Sequence, residues 1–200
     1  MHKSIKPTPY TKEDSVPQPK TKDICNVYNE RLKVILSGKN TDYNPLELGM
    51  PSKALLGCGI SNVPIQMAVL RLIDKKLQSN HPFSIASVAH MPEYLEKPIA
   101  VFQSKTRSDC KVILTEMEDK GVNIVVAVEL NKLCGKLEVN SVRSVYPKDN
   151  IKDILQWICQ GNLMEYVDKE KILNWFSKQQ SNSADVTKLI KDCTNLVQKL

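Results

Sequence analysis

The sequence predicts an α+β protein with N-terminal helices, a four-stranded antiparallel sheet meander and C-terminal helices. Apolar residues recur at helical spacing before residue 96 and again after residue 150. Between them lie runs rich in β-branched residues, which favour strands. The breaks between these runs are too short to hold crossover helices, so the strands are expected to pair antiparallel.

Composition indicates one ordinary domain. Of the 200 residues, 42% are hydrophobic and 25% are charged, which is enough to build a core. No apolar run reaches the roughly 18–20 residues that span a bilayer, and the N-terminus lacks the apolar centre of a signal peptide. We therefore expect no membrane association and a cytoplasmic location.

The N-terminal segment, residues 1–22, is expected to be disordered, and residues 23–200 to form the single domain. Four prolines lie among lysines, threonines and serines, with few apolar residues to offset the entropy of ordering. Much of the net charge of +6 comes from lysines and arginines in the first forty residues. This basic segment permits contact with nucleic acid, although a solvated tail explains it equally simply.

Five helical segments are predicted before the sheet. The first begins at a capping Asp23 and ends at Gly38, and a short one follows Pro51. Residues 65–77 have the spacing of an amphipathic helix. Short helical turns are expected over residues 84–90 and 91–95.

The four strands are the runs IAVFQS, VILTEM, NIVVAVEL and EVNSVRSVY. Gly121 is placed for the hairpin turn between the second and third runs. In a regular fourth strand, Arg143 and Val145 would lie on one face, and Val142, Ser144 and Tyr146 on the other.

The C-terminal part is expected to contain three helices. The first follows a capping Asn150 and stops at Gly161. After a short extended piece at residues 165–167, Asp168 caps the second. Residues 185–200 have the spacing of a third amphipathic helix.

The six cysteines are scattered and none forms a C-x-x-C pair, so free buried thiols in a reducing compartment are expected. No histidine stands at a ligand spacing from a cysteine, so neither a metal site nor a cofactor is expected.

Several phrases resemble the phage MuF C-terminal domain family over roughly residues 44–186. They include NPLELGMPSKALLGCGI, MPEYLEKPIAVFQS, VNSVRSVYPKDN and YVDKEKILNWFSKQQSNSADV. The family is grouped with barnase/EndoU/colicin/RelE-like nucleases of phage and mobile elements. The resemblance implies a toxin-type fold that cleaves RNA, without metal, on the open face of its sheet.

Metal-free cleavage of RNA needs a base, an acid and cations for the phosphate. We expect Arg143, Ser144 and Lys148 to act at the phosphate, with Glu116 as a base if it faces Arg143. The remaining candidates are His81 for catalysis, and Tyr146, Thr115, Gln179 and Ser181 for contacts with substrate.

Each candidate also has a plain structural interpretation. Arg143 and Glu116 would form ordinary ion pairs, His81 would cap a helix, and Gln179 would belong to a solvated linker. No late strand supplies a histidine, so the family's usual Glu/Arg/His arrangement is incomplete.

Two other functions remain open from the sequence. One is a catalytically inactive domain that binds an immunity, phage or conjugation protein. The other is an enzyme that handles nucleotides or ADP-ribose.

Overall fold

The computed structural model describes residues 20–74, 82–160, 163–179 and 183–200. Its helices are α1 (Thr21–Leu36), α2 (Lys53–Gly57), α3 (Leu70–Ile73), a 3-10 turn (Ile85–Val88), α4 (Met91–Glu96), α5 (Ile151–Gln160), α6 (Lys169–Lys178) and α7 (Ala184–Gln198). Its strands are β1 (Leu46–Gly49), β2 (Ile65–Met67), β3 (Ala100–Gln103), β4 (Cys110–Asp119), β5 (Val122–Cys134), β6 (Leu137–Pro147) and β7 (Met164–Val167).

The seven strands form one mixed sheet in the order β1-β2-β6-β5-β4-β3-β7. The predicted α+β class, with helices at both ends of the chain, is confirmed. The predicted four-stranded sheet was too small. Strands β3 to β6 are the antiparallel meander, but β7 extends one side of it, and β2 joins β6 in parallel on the other.

The predicted helix over residues 65–77 was wrong. Residues 65–67 form β2, in which Ile65 and Met67 are buried and Gln66 between them is half-buried. That alternation fits a strand, and pairing with β6 stabilises it through the bond from the Asn140 amide to the Pro64 carbonyl, 2.9 Å long. Only Leu70–Ile73 of the expected helix is helical in the part of this segment that is described.

Helix α1 begins at Thr21, two residues before the Asp23 at which the helix was predicted to begin. Lys20 stands at the N-cap position rather than Asp23, which lies in the first turn. The predicted end is confirmed, because Gly38 has φ +70° and closes the C-terminus of the helix. Residues 1–19 of the N-terminal segment lie outside the described residues.

Each face of the sheet carries its own hydrophobic core. One core lies under α1, α2 and α4 and includes Tyr28, Leu55 and Val145. The other lies under α5, α6 and α7 and includes Phe102, Leu155 and Trp175. Phe102 meets Trp157 edge-on, with ring centroids 5.5 Å apart, so α5 is packed directly on the strands.

The expectation of six free thiols was wrong for one pair. Cys159 on α5 and Cys193 on α7 are joined by a disulfide. The other four cysteines are free, and three of them are buried. The sequence could not predict the bridge because its partners are 34 residues apart and meet only when the two helices pack side by side. Because this pair is bridged, the cysteines no longer indicate a reducing compartment.

None of the helices in the described ranges is long and apolar enough to cross a membrane.

Candidate functional site

Strand β6 contains a β-bulge at Arg143. Val142 pairs with Val128 of β5, whereas Ser144 pairs with Ala127, so Arg143 is an extra residue in β6. The predicted regular alternation along β6 was therefore wrong. Val142 and Val145 both belong to the core under α1, and Tyr146 packs against the core under α5.

The sheet face that carries α5, α6 and α7 is covered at one end only. Val125 of β5 is fully buried on this face, whereas Ala127 and Glu129, two and four residues further along, are half-buried. Their partners on β6 are Ser144 and Ser141, which are also half-buried. At this end the face changes from apolar to polar.

Glu129 is the centre of an ionic cluster at the open end. Its carboxylate lies 3.1 Å from Arg107 Nη2, 3.1 Å from Lys132 Nζ and 3.8 Å from Arg143 Nη1. The side chain of Glu129 is only 16% exposed, whereas that of Arg143 is 46% exposed. We call these four residues the Glu129 cluster. It contains the Arg–Glu pair that the structural interpretation of Arg143 anticipated.

Arg107 is held in place by a second carboxylate. Its Nε donates to Asp109 Oδ1 over 2.9 Å, and its Nη2 also contacts Asp109. The guanidinium beside Asp109 lowers the pKa of that carboxyl to about 2, and the same contact raises the pKa of Arg107. Both groups are therefore charged at neutral pH, and the guanidinium is fixed at the rim of the cluster.

Lys148 does not join Arg143. Its Nζ lies 2.5 Å from Asp153 Oδ2 and 5.4 Å from the centre of the Trp157 ring, at the start of α5. The two residues are five steps apart in the chain, so at roughly 3.3 Å per residue their Cα atoms are up to about 16 Å apart. Tyr146, between them, is half-buried, and burial raises its pKa.

Glu116 does not face Arg143 either. It pairs with Lys171 of α6 and lines a cavity of about 350 Å³ between β4, α4 and α1. Thr115 beside it is fully buried, and its hydroxyl donates to the Ile124 carbonyl over 2.7 Å. In this position the Thr115 hydroxyl supports an irregular stretch of the β4–β5 pairing.

Gln179 ends α6, where its side-chain amide donates to the Trp175 carbonyl over 3.2 Å. His81 and Ser181 lie outside the described residues.

A second polar cluster lies on the other side of the sheet, where α1 meets α4. Cys25 Sγ is 3.5 Å from His90 Nδ1, and His90 Nδ1 is 3.6 Å from Glu93 Oε2. The three ligand-type atoms all lie within 4.8 Å of one another, which is close enough to hold a metal ion. The sequence argument against a metal site used local spacing and missed this group, because Cys25 and His90 are 65 residues apart.

Sequence reasoning also missed Glu129 and Arg107. The run NIVVAVEL is apolar apart from its first residue and Glu129, and this one charge near the end of a buried strand was the available signal. Nothing in the sequence indicates that the loop before β4 brings Arg107 into contact with Glu129.

A family model described as "Phage MuF-C-terminal domain" matches residues 72–174, just over half of the chain. The matched range contains β3 to β7 and the whole Glu129 cluster, whereas α1 with Cys25 lies outside it. No curated protein and no solved structure matches the chain.

Proposed function

We propose that this chain, which belongs to the phage MuF-C-terminal domain family, is a toxin-type ribonuclease. Its proposed site of RNA cleavage is the Glu129 cluster, which would act without a metal ion. The observation that carries the proposal is one shielded carboxylate, on an uncovered stretch of sheet, contacted by three cations. Cleavage of a phosphodiester by a neighbouring hydroxyl group requires a base for the hydroxyl proton and cations for the phosphate charge, and the cluster contains both kinds of group.

In this proposal Glu129 is the general base. Its carboxylate accepts the proton of the ribose 2′-hydroxyl as the 2′-oxygen attacks the neighbouring phosphorus. The bond from phosphorus to the 5′-oxygen breaks, and Lys132 donates a proton to that leaving oxygen. The products are a 2′,3′-cyclic phosphate and a free 5′-hydroxyl, so protons and charge balance.

Arg107 and Arg143 would stabilise the charge that develops on the phosphate. Their guanidinium groups present planar pairs of donors that match phosphate oxygens. Arg107 is oriented by Asp109, whereas Arg143 extends from the bulge and is nearly half exposed. Ser144, half-buried beside the bulge, would donate a further hydrogen bond to the phosphate.

Lys148, Glu116 and Thr115 support the fold rather than this reaction. Each already has a partner away from the cluster: Asp153 for Lys148, Lys171 for Glu116 and the Ile124 carbonyl for Thr115.

The test is cleavage of single-stranded RNA by purified protein in the presence of EDTA. We expect Glu129→Gln, which keeps the shape of the side chain but cannot accept a proton, to lower the rate by about 10²–10⁴-fold. Glu118→Gln is the matched control, because Glu118 is an exposed glutamate on the neighbouring strand β4 and should leave the rate unchanged. Unfolding curves of both variants verify that the fold is intact.

The variant Arg143→Ala tests the binding of RNA separately from the cleavage step. We expect weaker RNA binding and a shallower dependence of affinity on salt, since one phosphate contact is lost. Full cleavage by folded Glu129→Gln would refute the site. No cleavage by the folded parent protein on varied RNAs would instead favour a domain that binds an immunity or phage protein.

A further inference from the structure

We infer that the cluster of Cys25, His90 and Glu93 is a binding site for a zinc ion that ties helix α1 to the start of α4. The site is separate from the Glu129 cluster and independent of the proposed RNA cleavage, because α1 and α4 cover the opposite face of the sheet. It uses one ligand of each type that zinc prefers: a thiolate, an imidazole nitrogen and a carboxylate oxygen.

The distances match tetrahedral zinc. Zinc bonds of about 2.3 Å to sulfur and about 2.0–2.2 Å to nitrogen and oxygen, at tetrahedral angles, separate the ligand atoms by about 3.3–3.6 Å. The observed separations are 3.5 Å from Cys25 Sγ to His90 Nδ1 and 3.6 Å from His90 Nδ1 to Glu93 Oε2. Two of the three separations therefore already have the value expected for zinc, and the third, between the Cys25 sulfur and the Glu93 carboxylate, is below 4.8 Å.

Asn29 orients the imidazole towards the site. The His90 backbone N–H donates to Asn29 Oδ1 over 3.0 Å, so the amide nitrogen of Asn29 faces the other way. That nitrogen lies 3.3 Å from His90 Nδ1 and 3.5 Å from Cys25 Sγ. Because an amide NH₂ only donates, Nδ1 and Sγ are both acceptors here, and zinc would bind them by displacing the Asn29 amide.

The backbone at His90 is unusual and supports a specific role. His90 has φ +60° and ψ +17°, the left-handed region that non-glycine residues rarely occupy. This conformation places the imidazole at the N-cap position of α4, three residues before Glu93. Such backbone strain concentrates at functional and ligand-holding positions.

The same residues are poorly suited to act as a nucleophile and its base. Cys25 is only 1% exposed, so its sulfur cannot be reached by a substrate. By contrast, the side chains of His90 and Glu93 are 57% and 49% exposed. A small ion can enter from that side, and a water molecule can complete the tetrahedron as the thiol loses its proton to solvent.

The test titrates Zn²⁺ into reduced full-length protein in competition with a chromogenic chelator. We expect one ion per chain, with affinity lowered at least tenfold by Cys25→Ser and by Glu93→Gln. Cys134→Ser and Glu96→Gln are the matched controls and should bind as the parent does, since Cys134 is an exposed free thiol and Glu96 an exposed glutamate on the same helix.

Co²⁺ replaces zinc as a second probe. A sulfur-to-cobalt charge-transfer band that is absent in Cys25→Ser would place the metal on this thiolate. Glu93→Gln changes only a surface group, so it remains informative even if Cys25→Ser fails to fold. Absence of stoichiometric binding, or equal affinity in Glu93→Gln and Glu96→Gln, would overturn the inference.

Discussion

The two ends of one sheet face are built from the same strands but differ in what covers them. At the covered end, Phe102, Val125 and Tyr146 pack under α5 and its neighbours. At the open end, Glu129 and Arg143 stand on the continuation of those strands with no helix over them in the described structure. The difference lies in which residues the helices reach, rather than in the strands themselves.

This contrast separates the apolar part of the sheet face from the part that holds the Glu129 cluster. Hydrophobic burial at the covered end contributes to folding, whereas the open end holds polar groups whose contacts compensate one another. We therefore expect substitutions at the covered end to change the free energy of unfolding. Under the proposed function, substitutions at the open end should instead change the binding or cleavage of RNA.

The largest effect is expected at the centre of the covered end. Phe102→Ala should lower the free energy of unfolding by about 3–5 kcal/mol, because it empties space against Trp157 in a fully buried position. Urea unfolding followed by circular dichroism measures the change. A loss below about 1 kcal/mol would mean that α5 is not packed on the sheet as described.

The disulfide makes the next largest contribution to the same end. Replacing Cys159 and Cys193 with serine should cost about 3–4 kcal/mol, the chain-entropy value for a loop of this length. A reducing agent should destabilise the parent protein similarly and leave the double variant unaffected. Equal unfolding midpoints with and without reductant would show that the bridge does not form in solution.

One carboxylate outside the Glu129 cluster should make the stability of the fold depend on pH. Asp119, at the end of β4, accepts hydrogen bonds from the Ser87 hydroxyl (2.6 Å) and the Ser84 amide (3.1 Å) rather than from a cluster of cations. The Ser87 bond, followed by the Ser84 bond and the charge of Lys120, lowers the pKa of Asp119, although partial burial opposes this.

Asp119 therefore stabilises the fold above its unfolded pKa of about 3.9, and this contribution is lost as the pH falls through its lower folded pKa. Ser87→Ala should cost about 1 kcal/mol at pH 7 and progressively less below about pH 4. Unfolding free energies of both proteins across this range test it. A difference that stays constant with pH would contradict the role of Asp119.

The smallest effect is expected at the tip of the β5–β6 hairpin, beyond the open end. Leu133 is 74% exposed, although it lies on the same strand as the fully buried Val125. Leu133→Ser should change the free energy of unfolding by less than about 0.5 kcal/mol in the same urea experiment. A loss comparable to that of Phe102→Ala would show that the tip is covered in solution.

Much of the fold could be predicted from the sequence because its signals are local. The β-branched runs of β3 to β6, the cap at Asp168 and the stop at Gly38 depend on neighbouring residues alone. Strand β2 could not be predicted, since its apolar spacing also suits a helix and only pairing with β6 decides between them.

The candidate site was predictable only in part. Arg143 and Ser144 were identified from their strand, but the grouping with Lys148 and Glu116 assumed contacts that the register does not make. Glu129, Arg107 and the Cys25–His90 contact join residues far apart in the chain. These contacts form only in the tertiary structure, so the spacing of residues along the sequence does not indicate them.

The bulge makes Arg143 an addition to β6 that the alternation of the strand does not need. Substituting Arg143 removes one guanidinium and leaves every other side chain on its present face. Deleting it would join Val142 to Ser144, whose partners on β5 are already adjacent residues, so the strand would become regular with every remaining side chain on its present face. A frame-preserving loss of this single codon should therefore remove the guanidinium at little more cost to the fold than a missense change at the same position.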